Sequence, residues 1–190
     1  MTALTCENAR VPSYVALLRG INVGGHQKIR MADLRALMEG LGHESVETYL
    51  QSGNAVFRSS RKSDAALASA MEEAIAAELG LTVSVLIRTG AELRRVVDGT
   101  PYGDRGADMK QLHVAFLRAA PTAAAVKKLD AAQFAPDELE VAGREVYMHY
   151  PDGMGRSKLT NAVLERRLGV AATMRNWRTV TTLAELAAGG

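Results

Sequence analysis

"VETYLQSGNAVFRS", Val46–Ser59, reads as two short strands joined by a turn. Val46, Tyr49 and Leu50 mark the first strand, Ser52-Gly53-Asn54 the turn, and Ala55–Phe57 the second. Helical patterns flank this hairpin on both sides. Before it, Met31, Leu34, Leu37, Met38 and Leu41 fall at helical spacing, and Gly42 can end the helix. After it, Ser63 can cap a helix with Leu67, Met71, Ala74, Ile75 and Leu79 on one face, stopped at Gly80. Two further apolar strands enclose the set, at Val15–Leu18 and in "TVSVLI", Thr82–Ile87. A hairpin between two helices gives the order β-α-β-β-α-β, that of a ferredoxin-like half. "TGAE", Thr89–Glu92, is a capping-box pattern that opens one more short helix.

The order then recurs. "LHVAFL", Leu112–Leu117, is a strand, and Pro121 suits the first turn of a helix with Val126 and Leu129 facing inward. "ELEVAGREVYMHY" is a second hairpin that turns at Gly143-Arg144. Ser157 precedes a helix carrying Leu159, Val163, Leu164 and Leu168, stopped at Gly169. "VAATMR" supplies a last strand, and Asn176 can cap a final helix with Val180, Leu183 and Leu186. The repeat lies in element order and not in residue identity. The expected fold is therefore α+β, two ferredoxin-like halves packed into one compact unit. Residues 1–12 read as a flexible extension, 13–98 as the first half, 99–110 as a Gly- and Asp-rich linker and 111–190 as the second half.

Bulk properties narrow the function classes. With 190 residues, 47% hydrophobic and 23% charged, the chain has the make-up of a globular protein of one domain or two small ones. A net charge of +2 is far below that of a dedicated nucleic-acid binder. The single cysteine, Cys6, excludes an intrachain disulfide and a cysteine-built zinc cage, and fits a reducing cytosol. The first residues lack the pattern of a secretion signal, and no apolar run reaches the length of a membrane span. The expected location is cytoplasmic.

The chemistry gathers at three places. In a ferredoxin-like half, strand one lies antiparallel to strand three, so "RGINVGG" should sit beside "QSGN". Arg19, Asn22, the Gly24 and Gly25 amides, Lys28, Gln51, Ser52 and Asn54 would converge there. Glycines let amide groups point at a ligand, a helix N-terminus adds partial positive charge, and two cations would complete an anion pocket. The competing reading is a tight turn whose cations are solvated. The loop is not a Walker A motif, because His26 and Gln27 stand where Lys and Ser or Thr are needed. Nor does it carry the glycine spacing of a dinucleotide fingerprint.

In "PDGMGRSKLT", Pro151–Thr160, Ser157 and Lys158 precede a helix and could hold a phosphate or carboxylate. A serine nucleophile with a lysine partner is the weaker reading, since adjacent residues at a helix start seldom face each other. The bland alternative is an N-cap serine beside a solvated lysine. In "TMRNWRTV", Arg175, Asn176 and the only tryptophan, Trp177, offer a guanidinium, an amide and a ring within one turn. Trp177 itself is expected to be buried, with its indole N–H satisfied by a neighbour. The four histidines show no metal-ligand spacing. RNA-recognition domains share this element order but stack bases on aromatics of strands one and three. Here strand one has none after Tyr14 and strand three has only Phe57, which argues against nucleic acid.

"YVALLRGINVGGHQKIRMADLRALMEGLGHESVETYLQSGNAVF", "GRSKLT" and "ATMRNWRTVTTLAEL" resemble a bacterial family, domain of unknown function 1697, over nearly the whole chain from Tyr14. The resemblance implies two ferredoxin-like halves. It places the family's characteristic positions at Arg19, Gly20, Asn22, Val23, Gly24, Lys28, Met31, Gln51, Ser52, Gly53, Asn54, Ser157, Lys158, Thr173, Arg175, Asn176 and Trp177. It implies no activity and no cofactor. The reading reached from the residues is a binder, with turnover left open, of a small anion such as a nucleotide or phosphorylated metabolite. Arg19, Lys28, Lys158 and Arg175 would neutralise its charge, while Gln51, Asn54 and Asn176 would supply neutral hydrogen bonds. None of the motif residues stands out as a general base. The alternatives are a nucleic-acid-associated protein using the same basic edge, and an interaction module whose motifs are structural.

Overall fold

The computed structural model describes residues 11–23, 27–61, 63–103 and 107–189. The first half runs β1 (Ser13–Leu18), α1 (Met31–Gly40), β2 (Glu44–Tyr49), β3 (Asn54–Arg58), α2 (Asp64–Leu79), β4 (Val85–Thr89) and α3 (Gly90–Asp98). The second runs β5 (Leu112–Leu117), α4 (Ala123–Lys128), β6 (Glu138–Ala142), β7 (Glu145–His149), α5 (Asn161–Leu168), β8 (Ala172–Asn176) and α6 (Trp177–Gly189). Each half folds its strands into one antiparallel sheet, in the orders β2-β3-β1-β4 and β6-β7-β5-β8. The expected β-α-β-β-α-β order is thus present twice. The N-terminal extension up to Arg10 and linker residues 104–106 lie outside the described residues.

Local signals act where the residue types place them. The Ser63 hydroxyl accepts the Ala66 N–H at the start of α2, and Gly80 ends that helix in the left-handed region. Thr89 and Glu92 form the expected capping box of α3. Three boundaries differ from expectation. β4 begins at Val85, whose N–H donates to the Glu72 carboxylate at 2.8 Å. Pro121 precedes the cap of α4, which is Thr122. Ser157 does not cap α5; Thr160 does, accepting the Val163 N–H.

Strand alternation builds three apolar layers. Tyr14, Ala16 and Leu18 of β1 face α1 and α2, while Val15 and Leu17 point the other way. That second face meets Val114 and Phe116 of β5, with α3 and α6 completing a central core. A third core lies between the second sheet and α4 and α5. Tyr14 and Phe57 stack at 5.7 Å inside the first core. The sheet face that an RNA-recognition domain keeps open is here covered by the other half. Tyr102 of the linker is buried in the central core, so this connection is anchored to both halves.

The halves share a register as well as an order. On β1, Leu18, Val15 and Tyr14 face Val85, Arg88 and Thr89 of β4. On β5, Leu117, Val114 and His113 face Ala172, Arg175 and Asn176 of β8. Arg88 therefore corresponds to Arg175, Thr89 to Asn176 and Gly90 to Trp177. Both cap residues work: Asn176 Oδ1 accepts the Thr179 N–H at 2.8 Å, as Thr89 does for α3. α3 and α6 meet at Gly90, where a Cβ would lie 3.1 Å from that of Ala187.

Candidate functional site

Arg175 is 8% exposed, and its planar fork is fully occupied. Nε donates to Asn54 Oδ1 at 2.5 Å, and Nη1 to Thr173 Oγ1 and the Met174 carbonyl at 2.8 Å each. Nη2 reaches the carbonyls of Leu18, Ser52 and Gly53 at 2.9, 3.1 and 3.3 Å. Burial pulls this guanidinium down to about 10, still protonated at neutral pH. The arginine of the second half thus clamps the end of β1 and the β2–β3 turn of the first. It is a fastener, and the expectation that it would neutralise a ligand is corrected accordingly. Asn54, 0% exposed, belongs to the same clamp, with Nδ2 donating to the Tyr49 carbonyl and Ser52 Oγ.

Arg88 returns the contact from the first half. Its Nη2 donates to the carbonyls of Leu117, at the end of β5, and Arg144, in the β6–β7 turn, at 2.7 and 3.1 Å. Its Nε donates to Glu145 Oε1 at 2.7 Å, at the position that Asn54 holds in the other half. Burial lowers the Arg88 guanidinium despite Glu145 beside it.

Arg19 follows the same rule. Its Nε and Nη2 grip both carboxylate oxygens of Glu165 on α5 at 2.7 Å each. Arg118, one residue past β5, grips Glu72 on α2 at 2.6 and 3.2 Å. Each glutamate also accepts the N–H that opens its own last strand, Glu165 from Ala172 and Glu72 from Val85, both at 2.8 Å. Burial alone would raise the Glu165 carboxyl, but the bonds from Arg19 and Ala172 outweigh it and hold it below the usual range. Arg19 keeps a 43% exposed side chain, yet its fork faces a carboxylate of its own chain. Arg88, Arg118, Glu72 and Glu165 escaped the reading of motifs. A signal existed: "LLR" and "FLR" close the first strand of each half, and an arginine is fourth in both last strands.

The loop and the turn do meet. Leu17 pairs with Asn54, and Leu18 N–H donates to the Gly53 carbonyl at 2.8 Å. Asn22, left-handed at φ 55°, joins them through its side chain. Its Nδ2 donates to the carbonyls of Gln51 at 2.6 Å and Ile29 at 2.9 Å, and its Oδ1 accepts the Ile29 N–H at 3.0 Å. Beside this joint, Asn22, Lys28, Ile29, Arg30 and Gln51 line a cavity of about 330 Å³. Arg30 is braced by Asp33 at 2.7 Å, and Lys28 makes no ion pair among the described residues. Ser52 is exposed in the turn, with its hydroxyl accepting from Asn54. Gly24 and Gly25, expected to offer amides here, lie outside the described residues, as does His26.

Ser157 and Lys158 are elsewhere. They line a separate cavity of about 550 Å³ with Asp137, Asp152 and Arg156 that shares no lining residue with the first. The Ser157 hydroxyl donates to Asp137 Oδ2 at 2.6 Å and accepts the Leu159 N–H at 2.8 Å. Its proton is thus directed at a carboxylate, and Lys158 is not its partner. Asn176 and Trp177 border a third cavity of about 640 Å³. Trp177 is buried as expected, at 6% exposure, but its indole N–H finds no acceptor among the described residues. The candidate residues that are described therefore divide among the Arg19–Glu165 pair, one clamp and three cavities.

A chain of two register-matched β-α-β-β-α-β units, fastened by reciprocal arginines, is the class of molecule these observations define. The chain belongs to the family described as "Protein of unknown function (DUF1697)", whose model matches residues 11–147. It is similar to a solved structure, the conserved bacterial protein SP0830 from Streptococcus pneumoniae, with a TM-score of 0.72 at 24% identity. The likeness covers 93% of this chain and 99% of that one, and it speaks to the fold. No curated protein matches.

Proposed function

We propose that the protein binds a small anion, such as a nucleotide or phosphorylated metabolite, at the edge where the β1–α1 loop meets the β2–β3 turn. The observation that carries this reading is the Asn22 side chain, which ties the loop to Gln51 and Ile29 and so holds Lys28, Arg30 and Gln51 around one cavity. Among the described residues that lining contains two cations and two amides and no carboxylate. The ligand set is therefore Lys28 and Gln51 with Arg30, held in place by Asn22, and Arg19 and Arg175 support it from the seam. A cytoplasmic location belongs to the same reading; among the described residues no helix is long and apolar enough to cross a membrane.

Thermal denaturation with inorganic phosphate and with ATP tests it, because binding to the native state alone raises the melting point with ligand concentration. Lys28→Ala should remove the rise while keeping the unliganded melting point. A second reading, that the motifs are structural, is favoured by how fully Arg19, Asn54 and Arg175 are engaged. Absence of any phosphate-dependent rise would decide for it. A steep loss of affinity with salt, for polynucleotide over mononucleotide, would move the edge to nucleic acid.

A further inference from the structure

The seam is matched residue by residue, so positions that break the match stand out. At the residue after the helix cap, the first half has Gly90 and the second has Trp177. Gly90 is closed against Ala187. Trp177 instead borders the cavity of about 640 Å³, within the range of small-molecule sites. The residue is 6% exposed, and its N–H donates to nothing among the described residues. Trp177 Nε1 is not among the sealed side-chain atoms that lack a partner, so this donor is open to solvent and to an acceptor placed in the cavity. The cavity offers more than a hydrophobic wall. Met109, 49% exposed, presents a thioether. Lys110 and Arg178 are exposed cations whose side chains make no ion pair among the described residues. Asn176 uses Oδ1 as the cap, and its Nδ2 donates to no group among the described residues. Glu185 is the one carboxylate in the lining, against two cations.

We propose that this cavity is a second ligand site, for a flat heteroaromatic ring carrying a phosphate, the chemistry of a nucleoside monophosphate. The Trp177 N–H and the Asn176 amide donate to ring acceptors, and Met109 packs on the ring. Lys110 and Arg178 take the phosphate. The Lys28 cavity has no aromatic wall and shares no lining residue with this one, so the two sites stand or fall separately.

Because Trp177 is the only tryptophan, its fluorescence reports on this cavity alone. The full chain is titrated with AMP, and with adenosine and ribose 5-phosphate as the ring and the phosphate taken singly. AMP should change the emission saturably, and either fragment should do so only at much higher concentration. The double variant Lys110→Ala/Arg178→Ala changes two exposed side chains and should weaken AMP by about tenfold or more. Lys28→Ala should leave the titration unchanged. Equilibrium dialysis in the Lys28→Ala background, where the first cavity is disabled, should show weaker AMP binding once Trp177→Phe is added, a change that keeps a ring and removes the N–H. The proposal is overturned by an AMP titration without saturation, by a double variant that binds like the parent, by ribose 5-phosphate matching AMP, or by Trp177→Phe binding AMP undiminished in that background.

Discussion

The first half and the second are fastened to each other by the same device used twice, and they differ in what surrounds it. Arg88 and Arg175 each cross to the other half's first-strand end and hairpin turn, and Arg19 and Arg118 each cross to the other half's second helix. This is the reciprocity of an isologous dimer contained in one chain. The connections are not matched. The β1–α1 link runs from Arg19 to Arg30, whereas its counterpart runs only from Arg118 to Thr122. Conversely the β7–α5 link, Tyr150–Thr160, is long where the β3–α2 link, Ser59–Ser63, is short. The Lys28 and Ser157 cavities both lie on the long links, and the third cavity lies where Trp177 replaces glycine. Matched arginines fasten the halves, and although Arg88 and Arg118 also border a small cavity of about 160 Å³, the three larger cavities that hold the candidate residues lie at unmatched positions.

The sharpest way to break this comparison is to remove one clamp at a time. Arg175→Ala takes the guanidinium away from the Leu18 and Ser52 carbonyls and Asn54 Oδ1 and leaves a void, while the Gly53 carbonyl keeps the Leu18 N–H. A loss of about 3 kcal/mol or more is expected in denaturant unfolding. Arg88→Ala strands Glu145, whose side chain is 17% exposed, and should cost a comparable amount. A loss below about 1 kcal/mol for either one, with the other intact, would show that the twofold match is formal and not energetic.

The turns give a smaller and asymmetric effect. Gly53, at φ +76°, is enclosed: a Cβ there would lie 2.7 Å from Ile21 Cδ1 and 2.8 Å from Leu18 Cβ. Gly143, at φ +62°, has nothing within 4 Å. Gly143→Ala therefore pays only for the left-handed backbone, about 1 kcal/mol. Gly53→Ala adds a clash in the core and should cost about 2–4 kcal/mol. Equal melting points for the two variants would mean that the first turn yields as easily as the second.

Much of the fold is legible in the residues because its signals are local. Ser63, Gly80, the Thr89–Glu92 box, Asn176 and the Gly143-Arg144 turn each act through their own few residues. The site is less legible because its logic is long-range. An arginine after a strand looks the same whether it awaits a phosphate or grips Glu165, a residue 146 positions away. Nor does local sequence show that Arg175 is sealed under the other half, or that Asp137 takes the proton of Ser157. What could be read ahead is the repetition: two "L-R" strand ends and two arginines fourth in a last strand are a pair only once the register is known.

The smallest expected effect is the most telling about Arg19. Arg19 and Arg118 both have 43% exposed side chains and both meet one glutamate on the opposite half. If they are equivalent fasteners, Arg19→Ala and Arg118→Ala should each cost about 0.2–1 kcal/mol, as for other solvent-screened pairs, and should do so to the same extent. The Glu165 carboxyl is held below its ordinary value of 4.5. Its share of stability is therefore complete above that pH and is lost as pH falls through the folded value. Removing Arg19 brings the carboxyl back toward its ordinary value, so the acid limb of the stability curve should become shallower in Arg19→Ala. A phosphate-dependent rise in melting point should survive the substitution, since Arg19 lies outside the cavity lining. Loss of that rise, with Arg118→Ala retaining it, would separate the two arginines and return Arg19 to the anion.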